Sequence, residues 1–171
     1  MNKNFCSMAA AILLVAGCGL QATTAASAAA QTVSAAATNP ADEAAIKKVL
    51  ASYETALNAS NTEAVMSLYA DDAVLLPQET PTVVGSKAVK EFYIGTFKAI
   101  KIDLKFQTAE VQVVSNDWAF LRSTATGAVK ILATGNEVPA RTQELFVLRK
   151  DAGLWKLARY RFSSTLPPAQ R

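Results

Sequence analysis

From Lys101 to Ser163 the chain alternates apolar and polar residues in long runs separated by turn signals, and few folds accommodate that pattern. Ser115-Asn116-Asp117, Thr134-Gly135-Asn136-Glu137 and Lys150-Asp151-Ala152-Gly153 are the breaks. Strands are therefore expected over about 101–114, 118–132, 138–149 and 154–163, joined as antiparallel hairpins. In the first run Ile102, Leu104 and Phe106 share one parity while Ala109, Val111 and Val113 share the other, which requires a bulge or break.

Upstream the period is helical. Asn39 and Pro40 with Asp42 form a helix start, followed by Ile46, Val49, Leu50, Tyr53 and Leu57 on one face and an end near Asn58. Ser60 and Glu63 make a capping box for a short second helix that Asp71-Asp72 ends. A short strand over Ala73 to Leu76 and a proline-bounded loop to Pro81 precede a third helix, capped by Ser86, with Val89, Phe92, Tyr93 and Phe97 on its apolar face. Helices followed by a meander of strands make the domain, over residues 39–165, α+β; residues 166–171 are a tail.

Composition narrows the chemistry. The chain has no histidine, and its cysteines are Cys6 and Cys18, both near the N-terminus. Disulfides, metal centres and histidine-based catalysis are disfavoured, and no cofactor or metal is implied. Lys plus Arg number 17 against 14 Asp plus Glu without a basic cluster, which gives nucleic-acid binding no support.

The N-terminus reads as an export signal over residues 1–17: Lys3 is followed by an apolar stretch from Phe5 to Ala16 too short to span a bilayer. Val15-Ala16-Gly17-Cys18 resembles the lipobox of bacterial lipoproteins, which implies cleavage before Cys18, a lipid on Cys18 and a membrane-anchored protein of the cell envelope. Ala26-Ser27-Ala28 suits ordinary signal peptidase and a soluble periplasmic or secreted form. Residues 18–38, rich in Ala, Thr and Ser, read as a disordered tether.

The order of elements, carried by YETALNASNTEAVMSLYADDAVLL, VVGSKAVKEFY, DWAFLRS and AGLWKLARYRFS, resembles the nuclear transport factor 2-like superfamily, in particular its SnoaL-like and ketosteroid isomerase-like branches. The resemblance spans about Ala41 to Ser163. It implies a curved antiparallel sheet forming a cone around the N-terminal helices, with a pocket inside and a convex outer surface that commonly pairs with a second subunit. Such folds host enzymes and binding modules alike.

Centring each hairpin on its turn sorts the strands into two faces. Phe120, Arg122, Thr124, Thr126, Gln143, Leu145, Val147, Ala158, Tyr160 and Phe162 form one; Leu121, Ser123, Ala125, Glu144, Phe146, Leu148, Trp155, Leu157 and Arg159 form the other. The resemblance places the first set inside the cone. The second set, still apolar, is then the expected homodimer surface around Trp155 and Phe146.

Tyr53 matches the position of the catalytic tyrosine in the resembled isomerases, either as a donor to a ligand carbonyl or as core packing. The acids of those isomerases would fall near Leu76-Pro77 and Leu145, where this chain has none, and Glu79 and Glu144 are displaced from them. Arg122 suits a ligand anion, or an internal ion pair with Asp71 or Asp72. The expected function is a small-molecule module whose pocket of Tyr53, Phe92, Phe97, Arg122, Thr124, Gln143, Tyr160 and Phe162 takes a partly apolar ligand, an anion being within its scope. The alternatives are an isomerase- or cyclase-like enzyme with Tyr53 as acid and Glu79 as a candidate base, and a protein-interaction module using the convex face.

Overall fold

A computed structural model describes residues 39–167. Its elements are α1 (Pro40–Asn58), α2 (Thr62–Met66), β1 (Tyr69–Leu76), β2 (Val83–Val84), α3 (Ser86–Ala99), β3 (Ile100–Val113), β4 (Trp118–Ile131), β5 (Glu137–Asp151) and β6 (Leu154–Ser164). The strands form one sheet in the order β2-β1-β6-β5-β4-β3. The α+β architecture is as expected, with one refinement: β1 runs parallel to β6, so the sheet is mixed rather than wholly antiparallel. The signal, Cys18 and the tether lie outside the described residues.

Helix starts follow local chemistry. Asn39 caps α1 by accepting from the Ala41 amide at 3.0 Å, and Pro40 occupies the first turn, where a missing amide costs nothing. The second helix starts one residue later than the capping-box reading: Asn61 accepts from Ala64 at 3.0 Å, while Ser60 sits at φ 52 with its amide on Leu57 O, closing α1. Asp71 and Asp72 belong to β1, and Gly85, not Ser86, is the N-cap of α3.

The meander contains two irregularities that decide where side chains point. In β3 the pairing shifts between Thr108 and Glu110, so Ala109 is the bulge that the parity change required. In β6 a second shift lies between the partners of Val147 and Leu148: Val147 pairs with Arg159 and Leu148 with Leu157, leaving Ala158 as the extra residue. Leu157 and Tyr160 thereby bury on the same side of the sheet although their parities differ.

The β4–β5 turn is centred two residues earlier than the sequence suggests. The Gly135 amide bonds Ile131 O at 2.8 Å, and Lys130 pairs with Glu137. Thr124 consequently faces Gln143, Leu121 faces Phe146, and Ser123 faces Glu144. An offset of two residues at the turn moves the register by four, so the same residues still share a face.

That face is the buried one. Leu121, Ser123, Ala125, Glu144, Phe146 and Leu148 are buried, whereas Arg122, Thr124, Gln143 and Leu145 are exposed. The interior assignment based on family resemblance is therefore inverted for β4 and β5. Trp155, expected on an outer dimer surface, is 5 % exposed and donates from Nε1 to Asp42 Oδ1 at 2.9 Å, an atom that also accepts from Lys150 Nζ at 2.7 Å. These bonds pin the start of α1 to the β5–β6 hairpin.

Helix α1 also closes the open edge of the sheet. Asn58 donates to Leu104 O at 2.8 Å and accepts from Leu104 N at 3.0 Å, and Glu54 Oε2 accepts from Phe106 N at 2.8 Å. Edge amides of β3 that would otherwise offer themselves to another strand are thus satisfied by helix side chains. Opposite Leu104 sits Gly127, where a Cβ would lie 2.0 Å from the Asp103 carbonyl oxygen, so the close approach of β3 to β4 admits only glycine.

Candidate functional site

Between α1, α3 and the inner face of the sheet lies a cavity of about 170 Å³. Helix α1 contributes Tyr53 and Leu57; α3 contributes Phe92, Tyr93 and Thr96. The inward parity of β3 before its bulge supplies Ile100, Ile102, Leu104 and Phe106. Val129, Ala140, Thr142 and Glu144 come from β4 and β5, and Tyr160 and Phe162 from β6 beyond its bulge.

The polar side of the wall centres on Glu144, which is 5 % exposed. Its cross-strand partner Ser123 donates from Oγ to Oε2 at 2.6 Å, and Thr142, two residues earlier on the same face, donates to Oε1. Burial raises the Glu144 pKa above the usual carboxylic range, and the two hydroxyl bonds oppose that shift. Glu144 is the sole charged group among the described residues that line the cavity.

A second polar feature joins three phenols. The Tyr93 hydroxyl lies 2.8 Å from that of Tyr53 and 2.8 Å from that of Tyr69. Two bonds among three hydroxyls use two protons, which leaves one phenolic proton over, and two of its three possible positions, Tyr53 and Tyr93, are on the cavity wall. Burial pushes Tyr93 up to about 12, against the bonds that lower it, and pushes Tyr53, Tyr69 and Tyr160 well above the ordinary phenol value. These groups stay neutral, so they can donate hydrogen bonds without releasing protons.

The residues expected on the pocket wall divide. Tyr53, Phe92, Tyr160 and Phe162 line the cavity; Phe97 packs on Tyr93 at 5.7 Å behind it. Arg122, Thr124 and Gln143 are on the opposite face of the sheet, along a surface groove with Leu145 and Arg161. Neither expectation for Arg122 describes its contact: its Nε donates to Glu110 Oε2 at 2.6 Å, and Asp72 is engaged by Arg149 at 3.0 Å through two bonds. Glu79, the candidate base, is an exposed loop residue that does not line the cavity.

Glu144 is the site residue that sequence reasoning passed over. The signal was present, since Glu144 shares parity with Phe146 and Leu148 and a face with Leu121 and Ala125, a set too apolar for an outer surface.

The model of the SnoaL-like domain matches residues 49–158. The chain belongs to the SnoaL-like family. Among solved structures, a ketosteroid isomerase-like protein from Erwinia carotovora atroseptica is 40 % identical, with a TM-score of 0.70, over 72 % of this chain and 96 % of that one. A scytalone dehydratase-like structure from Novosphingobium aromaticivorans shares 18 % identity, a TM-score of 0.67 and 75 % and 87 % of the two chains. A type 2 hexachlorocyclohexane dehydrochlorinase shares 12 %, a TM-score of 0.66 and 74 % and 87 %. The last two are similar in fold alone, and no curated protein matches. Members of this SnoaL/NTF2-like fold bind small molecules or act as isomerases and dehydratases. Among the described residues no helix is long and apolar enough to cross a membrane, and no cluster of His, Cys, Asp or Glu could hold a metal ion.

Proposed function

We propose that the cavity binds a small, mainly apolar molecule of about one ring, with Glu144 as the group that exchanges a hydrogen bond or proton with it. The carrying observation is a buried carboxyl, held by Ser123 and Thr142, in a wall whose other residues, Thr96 apart, are aromatic or aliphatic. The volume of about 170 Å³ sets the size, since an apolar cavity of roughly 150 Å³ accommodates benzene. The bonded Tyr53 and Tyr93 hydroxyls can present one donor on another wall.

Glu144 also supports an enzymatic reading better than Tyr53 does. A carboxyl raised by burial can take and return a proton, whereas the neutral phenols can polarise a ligand oxygen. The test is a panel of single-ring fragments titrated by ligand-detected NMR against the protein and its Ala140→Phe variant, which fills the cavity. Binding that disappears in the variant supports the site; binding that persists there overturns it.

Two further readings complete the proposal. Export with lipid on Cys18 rests on the LVAGC motif, and Cys18→Ser should leave unprocessed precursor or soluble protein in fractionated cells. A homodimer, if formed by the sheet, would use the outer patch of Trp118, Phe120, Leu145 and Val147, where Leu145 is 41 % exposed. Sedimentation of Leu145→Glu beside the wild type tests that surface.

A further inference from the structure

We propose, resting on the cavity reading above, that the ligand is a small organic amine carried as an ammonium ion, its charge beside Glu144 and its hydrocarbon part among the rings. The argument begins with charge. Glu144 faces the cavity and no Lys or Arg among the described residues lines it. A carboxylate ligand would meet a like charge there, whereas an ammonium ion would supply the counter-ion to the ionised form that burial alone disfavours.

Hydrogen bonding points the same way. Ser123 and Thr142 each engage a different Glu144 oxygen. A carboxylic acid carries one proton, so at least one of these hydroxyls must donate, and both donate when the group is ionised. The ionised form is thus braced on both oxygens, and each oxygen keeps a lone pair for an N–H donor.

The rings complete the site. Tyr53, Phe92, Tyr93, Phe106, Tyr160 and Phe162 line the cavity, and several meet nearly at right angles: Tyr53 with Phe106 at 81°, Tyr53 with Tyr160 at 75°, and Phe92 with Tyr93 at 87°. The six rings come from α1, α3, β3 and β6 and so line the cavity from several sides. Aromatic faces attract a cation and the methylenes beside it, and do so most strongly where water is excluded.

The test compares benzylamine, benzyl alcohol and benzoate, which share a ring and differ in charge, by calorimetric titration of the purified protein at neutral pH. Benzylamine should bind at least about tenfold more tightly than benzyl alcohol, the range expected for a charge-assisted bond, and benzoate should give no saturable binding. In Glu144→Gln the amine and the alcohol should bind within about twofold of each other, by the same arithmetic. If benzyl alcohol equals or exceeds benzylamine in the wild type, and Ala140→Phe abolishes both, the cavity reading stands and the amine is refuted. If no probe binds, or Ala140→Phe leaves binding unchanged, both fall. The wild-type comparison decides without the Gln variant, should that variant fail to fold.

Discussion

Removing one oxygen from Tyr93 tests the phenol network more sharply than any other single change. In Tyr93→Phe the ring remains, with its contacts to Phe92 at 5.7 Å and Phe97 at 5.7 Å, but the hydroxyl bridging Tyr53 and Tyr69 is gone. Two hydrogen bonds at about 0.5–1.5 kcal/mol net are lost, and two buried hydroxyls lose a partner, where an unsatisfied one costs about 1–3 kcal/mol. Mutual rearrangement of Tyr53 and Tyr69 recovers part of this, which leaves an expected loss of about 2–4 kcal/mol. Tyr69→Phe removes one terminal bond and strands nothing, because Tyr93 keeps Tyr53; about 1 kcal/mol is expected. Urea unfolding of the three proteins, with equal m-values as the check on two-state behaviour, measures the difference. A Tyr93→Phe loss no larger than that of Tyr69→Phe would refute the bridging role and, with it, the count that leaves one proton over in the network.

Three other changes probe separate features. Glu144 has a folded pKa above its ordinary value of 4.5, so the folded state holds that proton more tightly than the unfolded one. Wild-type stability relative to Glu144→Gln should therefore fall as pH rises from about 4.5 and level off above the raised value, and a gap independent of pH counts against burial as the cause. Gly127→Ala places a methyl 2.0 Å from the Asp103 carbonyl oxygen; thermal unfolding should report a loss of about 1–3 kcal/mol from the forced shift of β3. Arg122→Ala breaks only the exposed pair with Glu110, so stability should change by less than about 1 kcal/mol and fragment affinity should not change.

The fold was legible where local chemistry and period agreed. The start of α1 followed from Asn39 and Pro40, the β3 bulge from a parity change between Phe106 and Ala109, and the β5–β6 turn from Ala152 and Gly153, both at positive φ. The boundaries that moved were set by tertiary partners. Ser60 looks like a cap but is consumed in ending α1, and Tyr69 begins a strand because its backbone pairs with Leu157 across the sheet. The parallel β1–β6 contact joins segments separated by β2, α3 and the strands β3, β4 and β5, which no local pattern encodes.

The site was half legible for a geometrical reason. Two alternating strands each offer two faces, and deciding which is inside requires a count of what each face buries. On β4 and β5 the even-versus-odd grouping holds, but family resemblance alone assigns the inner set, placing Arg122, Thr124 and Gln143 inward and Glu144 outward, the reverse of the structure. On β6 the Ala158 bulge reverses the parity midway, so Tyr160 and Phe162 point into the cavity while Trp155 and Leu157, of the opposite parity, are buried on the same side. A single unsignalled residue thereby keeps Tyr160 and Phe162, two of the eight expected pocket residues, inside the cavity. The inversion also changes the chemistry: with Arg122 outside and Glu144 inside, the charge offered to a ligand is negative, and an anionic guest gives way to one that is neutral or positive.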